Sequence, residues 1–339
     1  VATNRSETMS VSKNSILAAR LGEYLRPGSG RALSASSLKD YLACPMKFYL
    51  AHIEGKRVEK EPEEFLDAVT QGNILHETMQ ELYDSLLPSG QSSGRRFVSK
   101  DIISSWLDGS RNIGTYGSYK EIVCRKINQY YLHRDNNAPL TGDAGIMADV
   151  LSKYVQWSLE ADLRLAPFVY LGSEQKFDVA YPLDGDRLVN MTMIIDRMDE
   201  VCPPEGNTDK LRLRISDYKT GKDETSFSKV SDLTSGKKGK AIFQLMLYAA
   251  LYPYCSKSVA HTTPVALSIY KTRSLNLNGF DTMVENGAKP VWDNQPYKAE
   301  FETGLREKLT ELFDPDIPFS QCEDTNHCRY CDFAQLCNR

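Results

Sequence analysis

Two charged side chains at the end of a predicted strand carry the clearest chemical signal in this sequence. Leu213 and Ile215 alternate with polar residues, which is the period of a strand with one buried face. Because side chains two residues apart share a strand face, Asp217 and Lys219 continue that face just before Gly221. A carboxylate there can hold a divalent cation, and the ammonium can polarise a reacting oxygen or position a water. The pair suits phosphodiester hydrolysis, although Asp-x-Lys also occurs at solvated strand ends.

A second signal is the concentration of cysteines near the end of the chain. The sequence has eight cysteines, and four of them lie in its last 18 residues. Cys328, Cys331 and Cys337 are closely spaced, with aromatic residues between them. Thiolates in such a group can bind zinc or an iron–sulfur cluster, and both require four ligands.

The fourth ligand of this cysteine group is open at the level of sequence. Cys322 and His327 are close in the chain, while Cys44 is distant but precedes Pro45 at a predicted helix break. No secretory signal is visible, so the cysteines do not imply disulfides and we expect a cytoplasmic protein.

Composition excludes several classes of protein. Hydrophobic residues make up 41% and charged residues 25% of the chain, which permits a sizeable core and argues against global disorder. No apolar run approaches the roughly 18 residues of a transmembrane helix. The formal net charge of −4 argues against bulk electrostatic coating of nucleic acid, but lysines are concentrated after the Asp-x-Lys strand. These lysines are Lys222, Lys229, Lys237, Lys238 and Lys240.

Hydrophobic periodicity predicts the elements that would position these groups. A helix should begin at Ser36 or Ser37, and a hairpin turn is expected at Asp184–Gly185. Residues 101–166 have a helical pattern without recognisable chemistry. The further predicted helices cover 69–87 and 241–251. The predicted strands cover 168–171, 175–181, 188–195, 211–216 and 265–270.

Four more polar side chains occupy positions where they could complete a site. Gln244 and Tyr248 are four residues apart, so they share a helix face. His76 lies on an amphipathic helix, and a neutral imidazole can bind a metal. Asp196 ends a predicted strand that precedes the strand of Asp217. If these strands pair antiparallel, the two carboxylates meet only if the register is uneven or a strand bends.

Taken in order, these motifs resemble those of PD-(D/E)xK nucleases of the RecB family, most closely the iron–sulfur nuclease domain of AddB-like proteins. The resemblance covers about 34–339 without 101–166. Each motif is short, and their shared order makes the resemblance specific. The motifs lie at 37–49, 72–76, 194–197, 217–221 and 244–248 and in the cysteine-rich tail.

The resemblance implies a metal-dependent nuclease centre. His76, Asp196 and Asp217 would bind Mg²⁺ or Mn²⁺, with the carbonyl oxygen of Tyr218 as a further ligand. Lys219 would align the attacking water and stabilise charge on the phosphate.

The resemblance also implies roles for residues around that centre. Gln244 and Tyr248 would orient the scissile strand, and Glu174 matches an acidic residue that some relatives carry on the first core strand. Cys322 lies outside the four-cysteine pattern of the family, and zinc is the alternative occupant of the cysteine site. The ligands implied for a [4Fe-4S] cluster are Cys44, Cys328, Cys331 and Cys337.

The implied fold class is α/β (α+β), a restriction-endonuclease-like core with a central mixed β-sheet flanked by helices, a helical insertion and a C-terminal cysteine-ligated cluster region. The expected organisation is an N-terminal arm or linker followed by one nuclease domain. The expected segments are 1–33 for the arm, 34–339 for the domain, 101–166 for the insertion, 167–275 for the catalytic sheet core and 314–339 for the cluster tail.

The implied function is a Mg²⁺- or Mn²⁺-dependent DNA exonuclease that acts mainly on single strands delivered by a helicase. It would be the nuclease domain of an AddB-like subunit in double-strand break repair, with an AddA-like helicase–nuclease subunit as partner. The chain starts at Val1 and has no phosphate-binding Gly-Lys-Ser/Thr loop, so we expect a fragment of a longer protein. The alternatives are a free-standing iron–sulfur nuclease of the CRISPR-adaptation or repair type and a non-catalytic DNA-binding module.

Overall fold

The computed structural model describes residues 8–58, 67–91, 93–115, 117–204, 211–256 and 259–339. The helices are α1 (Ser15–Gly22), α2 (Ala35–Ala43), α3 (Pro45–Phe48), α4 (Ala68–Asp84), α5 (Lys100–Leu107), α6 (Tyr119–Tyr130), α7 (Gly142–Leu165), α8 (Val230–Thr234), α9 (Lys240–Cys255) and α10 (Gln295–Phe313). The strands are β1 (Ser10–Val11), β2 (Ser93–Val98), β3 (Phe168–Asp184), β4 (Arg187–Val201), β5 (Arg212–Lys219), β6 (Ser226–Phe227), β7 (Val265–Lys271), β8 (Glu285–Asn286), β9 (Lys289–Pro290) and β10 (Phe319–Ser320).

A five-stranded mixed sheet forms the centre of the molecule. Its strand order is β2-β3-β4-β5-β7, with β5 and β7 parallel and the other neighbours antiparallel. The chain passes from β5 to β7 through α9, because parallel strands need a crossover connection. This is the α/β architecture predicted from the sequence, a mixed sheet flanked by helices.

The hairpin of β3 and β4 is longer than the sequence pattern predicted. The turn lies at Asp184 and Gly185 as expected, and Gly185 has a φ of 47°, which glycine adopts readily. The predicted strands 168–171 and 175–181 are one continuous strand, so that prediction of two strands was wrong. Ser173 and Gln175 keep their pairing with β4, which carries the strand across the polar residues between the two apolar runs.

Helices cover both faces of the sheet and create two apolar cores. The first core packs α1, α2, α9 and α10 against one face, and it includes Ile215. The second core packs α4, α5, α6 and α7 against the other face, and it includes Tyr218. Segments of the predicted 101–166 insertion supply much of the second core, so these helices are integral to packing around the sheet.

The N-terminal segment is packed more closely than a loosely attached arm would be. Leu17 and Leu21 on α1 and the nearby Tyr24 are buried in the first core. Asn14 caps α1 by accepting a hydrogen bond from the Leu17 amide. The next helix, α2, begins at Ala35 because Ser34 caps it, one or two residues before the predicted start.

A buried network of charges lies under the sheet on the side of the second core. Arg197, Arg214, Asp162 and Asp199 are fully buried. Arg197 donates to Asp162 Oδ2 at 2.7 Å and to Asp199 Oδ2 at 2.8 Å. Arg214 donates to both oxygens of Asp199 at 2.7 Å. Arg197 also donates to the Tyr218 hydroxyl at 3.1 Å. The network is thereby hydrogen-bonded to strand β5 on the sheet face that packs against the second core.

Replacing Asp162 with Ala should destabilise the fold by about 3–5 kcal/mol, because it leaves buried guanidinium charge with one fewer carboxylate. Asp162 also accepts hydrogen bonds from the Tyr83 and Tyr270 hydroxyls at 2.5 Å each, and these would lose their acceptor. Urea unfolding measures the change. Asp149→Ala, at an exposed position of the same helix, is the control. Equal stabilities of the two variants would contradict the prediction.

The described part of the chain contains no helix that is both long and apolar enough to cross a membrane.

Candidate active site

Asp217 and Lys219 lie on one face at the end of β5, as the alternation predicted. Lys219 Nζ is 2.5 Å from Asp217 Oδ2. Gln244 on α9 donates from Nε2 to Asp217 Oδ1 at 2.9 Å, so each oxygen of this buried carboxylate faces a donor. Asp217 is therefore fixed from two directions, by its own strand and by the crossover helix.

Asp196 lies opposite Asp217 on the neighbouring strand. The prediction that Asp196 ends its strand was wrong, because β4 continues to Val201. Arg197 pairs with Ser216 in the antiparallel register, which sets the preceding Asp196 across from Asp217. The Tyr218 amide donates to Asp196 Oδ2 at 2.9 Å. The continuation of β4 beyond Asp196 therefore brings the two carboxylates to neighbouring positions on adjacent strands.

His76 reaches this centre from α4, on the opposite side of the sheet edge from α9. Its Nε2 is 3.0 Å from the Tyr218 carbonyl oxygen. Its Nδ1 is 3.1 Å from Glu174 Oε1 and 3.5 Å from Asp196 Oδ2. His76, Glu174, Asp196 and Tyr218, which span 142 positions of the sequence, thus converge at one point.

Glu174 enters the site through an unusual backbone conformation. Its φ is 50°, in the left-handed region that non-glycine residues rarely adopt. Ser173 pairs with Arg197 and Gln175 with Ile195, which places Glu174 across from Asp196. Such strain persists only where surrounding structure holds it, and it is concentrated at functional sites.

Tyr248 and Lys39 complete the surroundings of Asp217. Tyr248 is buried one helical turn after Gln244, and burial raises the pKa of its hydroxyl, with a further contribution from Asp196. Lys39 on α2 donates from Nζ to Gln244 Oε1 at 2.8 Å. Sequence reasoning did not identify Lys39 as a site residue, since a lysine on an amphipathic helix has no distinctive local pattern.

Opposing charges set the pKa values in the site. Burial alone would lower the pKa of His76, but Asp196 and Glu174 outweigh it and raise the value to about 9. Burial and the negative charge of Asp196 raise the pKa of Asp217 to about 6, although Lys219 acts against them. Burial lowers the pKa of Lys219, but Asp217 outweighs it, and the net shift is upward. Lys219 is therefore a cation at neutral pH.

Metal-free protein should become less stable as the pH rises from 6.5 to about 9. The pKa of His76 is higher in the folded state, so the fold binds more protons in this window and the free energy of unfolding falls. The stabilising contribution is fully present below pH 6.5 and is lost through pH 9, on the order of 1–3 kcal/mol. Urea unfolding in chelator, compared between wild type and His76→Gln, measures it. Identical pH slopes for the two proteins would contradict the prediction.

The donor set fits a hard divalent cation. Among the described residues, His76, Glu174 and Asp196 bring one ligand atom each to within 4.8 Å of the others. Carboxylate and carbonyl oxygens are the ligands that Mg²⁺ and Mn²⁺ prefer, and the Tyr218 carbonyl is adjacent. Asp217 lies beside this group, but its oxygens contact Gln244 and Lys219. His76 must release a proton before it can act as a ligand.

The cysteines of the tail meet Cys44 at a separate cavity. Cys44 occupies the junction between α2 and α3, where it ends one helix and precedes Pro45 of the next. The Cys322 amide donates to Cys44 Sγ at 3.4 Å, and Cys322 Sγ lies 4.0 Å from Cys328 Sγ. The cavity measures about 190 Å³. Its cysteine lining consists of Cys44, Cys322, Cys328, Cys331 and Cys337.

The structure thus brings together the three candidates for the fourth ligand of the tail cysteines, which are Cys44, Cys322 and His327. His327 also lines the cavity. Burial, Cys44 and Cys328 raise the pKa of Cys322 to about 12, so this thiol is protonated when no metal is bound. Burial also raises the pKa values of Cys331 and Cys337. Binding of a metal would displace these protons.

Comparison with known proteins agrees with this arrangement. The family model of the PD-(D/E)XK nuclease superfamily matches residues 32–338, which include the carboxylate site and the cysteine cavity. No curated protein matches the chain. On the strength of a match over nearly its whole length, the chain belongs to the PD-(D/E)XK nuclease superfamily.

Proposed function

We propose that the chain is a Mg²⁺- or Mn²⁺-dependent deoxyribonuclease that hydrolyses phosphodiester bonds in single-stranded DNA. The convergence of His76, Glu174 and Asp196 beside the Asp217–Lys219 pair supports this function most strongly. Bound by these residues, the cation would stabilise negative charge on the attacking and leaving oxygens.

Each side chain near the metal ligands would have a task in the reaction. Lys219 keeps its positive charge beside Asp217 and would donate a hydrogen bond to the phosphate or orient a water. Gln244 fixes the Asp217 carboxylate, and Tyr248 lies one turn further along the same helix. Asp196, Asp217 and Gln244 are buried, and a low-dielectric environment strengthens their electrostatic interactions.

Exposed lysines after β5 provide a surface for the substrate. The exposed lysines on the segment from Lys219 to the start of α9 are Lys222, Lys229, Lys237, Lys238 and Lys240. Positive charge beside a catalytic centre attracts a phosphate backbone even in a protein of negative net charge. This supports a nucleic-acid strand that passes along the segment into the site.

We further propose an exonuclease domain of an AddB-like subunit, which works in the cytoplasm on strands delivered by an AddA-like helicase–nuclease partner in double-strand break repair. The nuclease domain would cover 34–339, with its catalytic sheet core at 167–275 and its cluster tail at 314–339. The support is the order of motifs from α2 through the tail, which include the residues near the carboxylates and the cysteines that line the cavity.

The proposed cofactor of the tail is a [4Fe-4S] cluster held by Cys44, Cys328, Cys331 and Cys337. Around a single tetrahedral zinc, thiolates would lie about 3.8 Å apart, because the zinc–sulfur distance is about 2.3 Å. Cys322 and Cys328 are 4.0 Å apart, close to that spacing, so zinc is the alternative occupant. The support for a cluster is the four-cysteine pattern of the resemblance and the cavity that these cysteines line.

Digestion of end-labelled single-stranded DNA, double-stranded DNA and RNA tests the proposed activity. We expect Mg²⁺-dependent shortening of the single-stranded DNA and none in chelator. Labelled products that shorten progressively would support an exonuclease, and internal fragments would indicate an endonuclease. Binding of DNA without cleavage under any divalent cation would favour a non-catalytic binding module.

A further inference from the structure

Lys39 approaches the nuclease centre from a part of the chain that contributes no carboxylate to it. Leu38 and Tyr41 bury one face of α2 in the first core, which fixes the helix against α9. From this helix, Lys39 Nζ donates to Gln244 Oε1 at 2.8 Å. The contact joins residues 205 positions apart.

The contact continues as a chain of hydrogen bonds that ends at Lys219. Gln244 Nε2 donates to Asp217 Oδ1 at 2.9 Å, and Asp217 Oδ2 is 2.5 Å from the Lys219 ammonium. A glutamine amide has one accepting and one donating end. A lysine ammonium can only donate, so Lys39 selects the orientation in which the Gln244 amino group faces Asp217.

The position of Lys39 is costly unless it contributes to the site. The side chain is mostly buried, and both burial and the like charge of Lys219 lower its pKa. Asp217, Asp223 and Asp40 are the nearby acids that act in the opposite direction. A mostly buried ammonium that lies near a second one, and is hydrogen-bonded to a residue of the centre, is characteristic of a functional site.

We infer that Lys39 is a positioning residue for phosphodiester cleavage, which acts by fixing the Gln244 amide and, through it, the Asp217 carboxylate. This inference rests on the proposed nuclease function. Displacement of a catalytic group by about 1 Å can reduce the rate about 10²-fold, while substrate binding along the lysine segment is unaffected. The effect is therefore expected in kcat and not in KM.

A double-mutant cycle with Lys39→Met and Gln244→Ala tests the inference. Lys39→Met should lower kcat by about 10- to 100-fold at unchanged KM. In the Gln244→Ala background the same change should cost less than about threefold, because coupled residues are not additive. Lys39→Arg keeps a donor-only cation and should retain more activity than Lys39→Met.

Lys298→Met is the matched control. Lys298 is a largely buried lysine on α10, and its ammonium donates a hydrogen bond to the His261 carbonyl. It should leave kcat unchanged.

Multiplicative effects of Lys39→Met and Gln244→Ala on kcat, or a rise in KM alone, would overturn the positioning role. Wild type without nuclease activity would overturn the proposed function. Additive effects of the same two variants on thermal unfolding would then refute the Lys39–Gln244 pairing, and non-additive effects would support it.

Discussion

Lys219→Met should abolish measurable Mg²⁺-dependent cleavage of single-stranded DNA, with a loss of about 10³-fold or more. The ammonium of Lys219 is 2.5 Å from Asp217, and in the proposed mechanism it would contact the reacting phosphate or orient a water. A methionine keeps the length of the side chain and removes the charge. The rate of digestion under single-turnover conditions measures the loss.

Two controls separate catalysis from folding in this experiment. Lys176→Met removes an exposed lysine on β3 that pairs only loosely with Asp178, at 3.8 Å, and it should cleave like wild type. Because Asp217 is buried, loss of its cation will also raise the pKa of Asp217, so thermal unfolding must be followed in parallel. A folded Lys219→Met protein that cleaves within about threefold of wild type would remove Lys219 from the mechanism.

Cys44→Ser should remove most of the bound iron and lower the unfolding temperature by about 10 °C. Cys44 lies between α2 and α3, and its sulfur accepts from the Cys322 amide in the tail, so a cluster here would join the two ends of the domain. Loss of one ligand therefore removes both the cofactor and a long-range cross-link. Iron analysis, visible absorbance and calorimetry of anaerobically purified protein measure the two effects together.

The matched control for this change is Cys124→Ser, at a partly buried thiol on α6 outside the cavity. It should keep its iron and its colour. A Cys44→Ser protein with full iron content would instead assign the fourth position to Cys322, which lies 4.0 Å from Cys328. Colourless wild type with one bound zinc would contradict the cluster itself.

Hydrophobic periodicity in the sequence was sufficient to predict the helices and strands that position the site residues. The alternation before Asp217 predicted the face on which Asp217 and Lys219 lie, and the helical spacing around His76 matched α4 closely. Alternation and helical period are local properties, so they survive in a single sequence. The resemblance then grouped distant residues that no local pattern could connect.

Local sequence patterns could not predict the pairing register of strands that are distant in the chain. The opposition of Asp196 and Asp217 depends on where β4 ends, and the buried Arg197 and Asp199 interrupted the apolar signal that would have extended the predicted strand. Glu174 enters through a left-handed φ, and Lys39 through the packing of α2 against α9. These placements are set by tertiary contacts, which composition and spacing do not encode.

Binding of Mn²⁺ tests most directly whether side chains from α4, β3 and β4, beside the Tyr218 carbonyl of β5, share one divalent cation. Electron paramagnetic resonance of wild type, Asp196→Asn and the exposed control Asp178→Asn counts the bound ions without any substrate. We expect one tight Mn²⁺ in wild type and in Asp178→Asn, and none at the same concentration in Asp196→Asn. Equal occupancy in Asp196→Asn, with the fold intact, would show that these side chains do not share a cation.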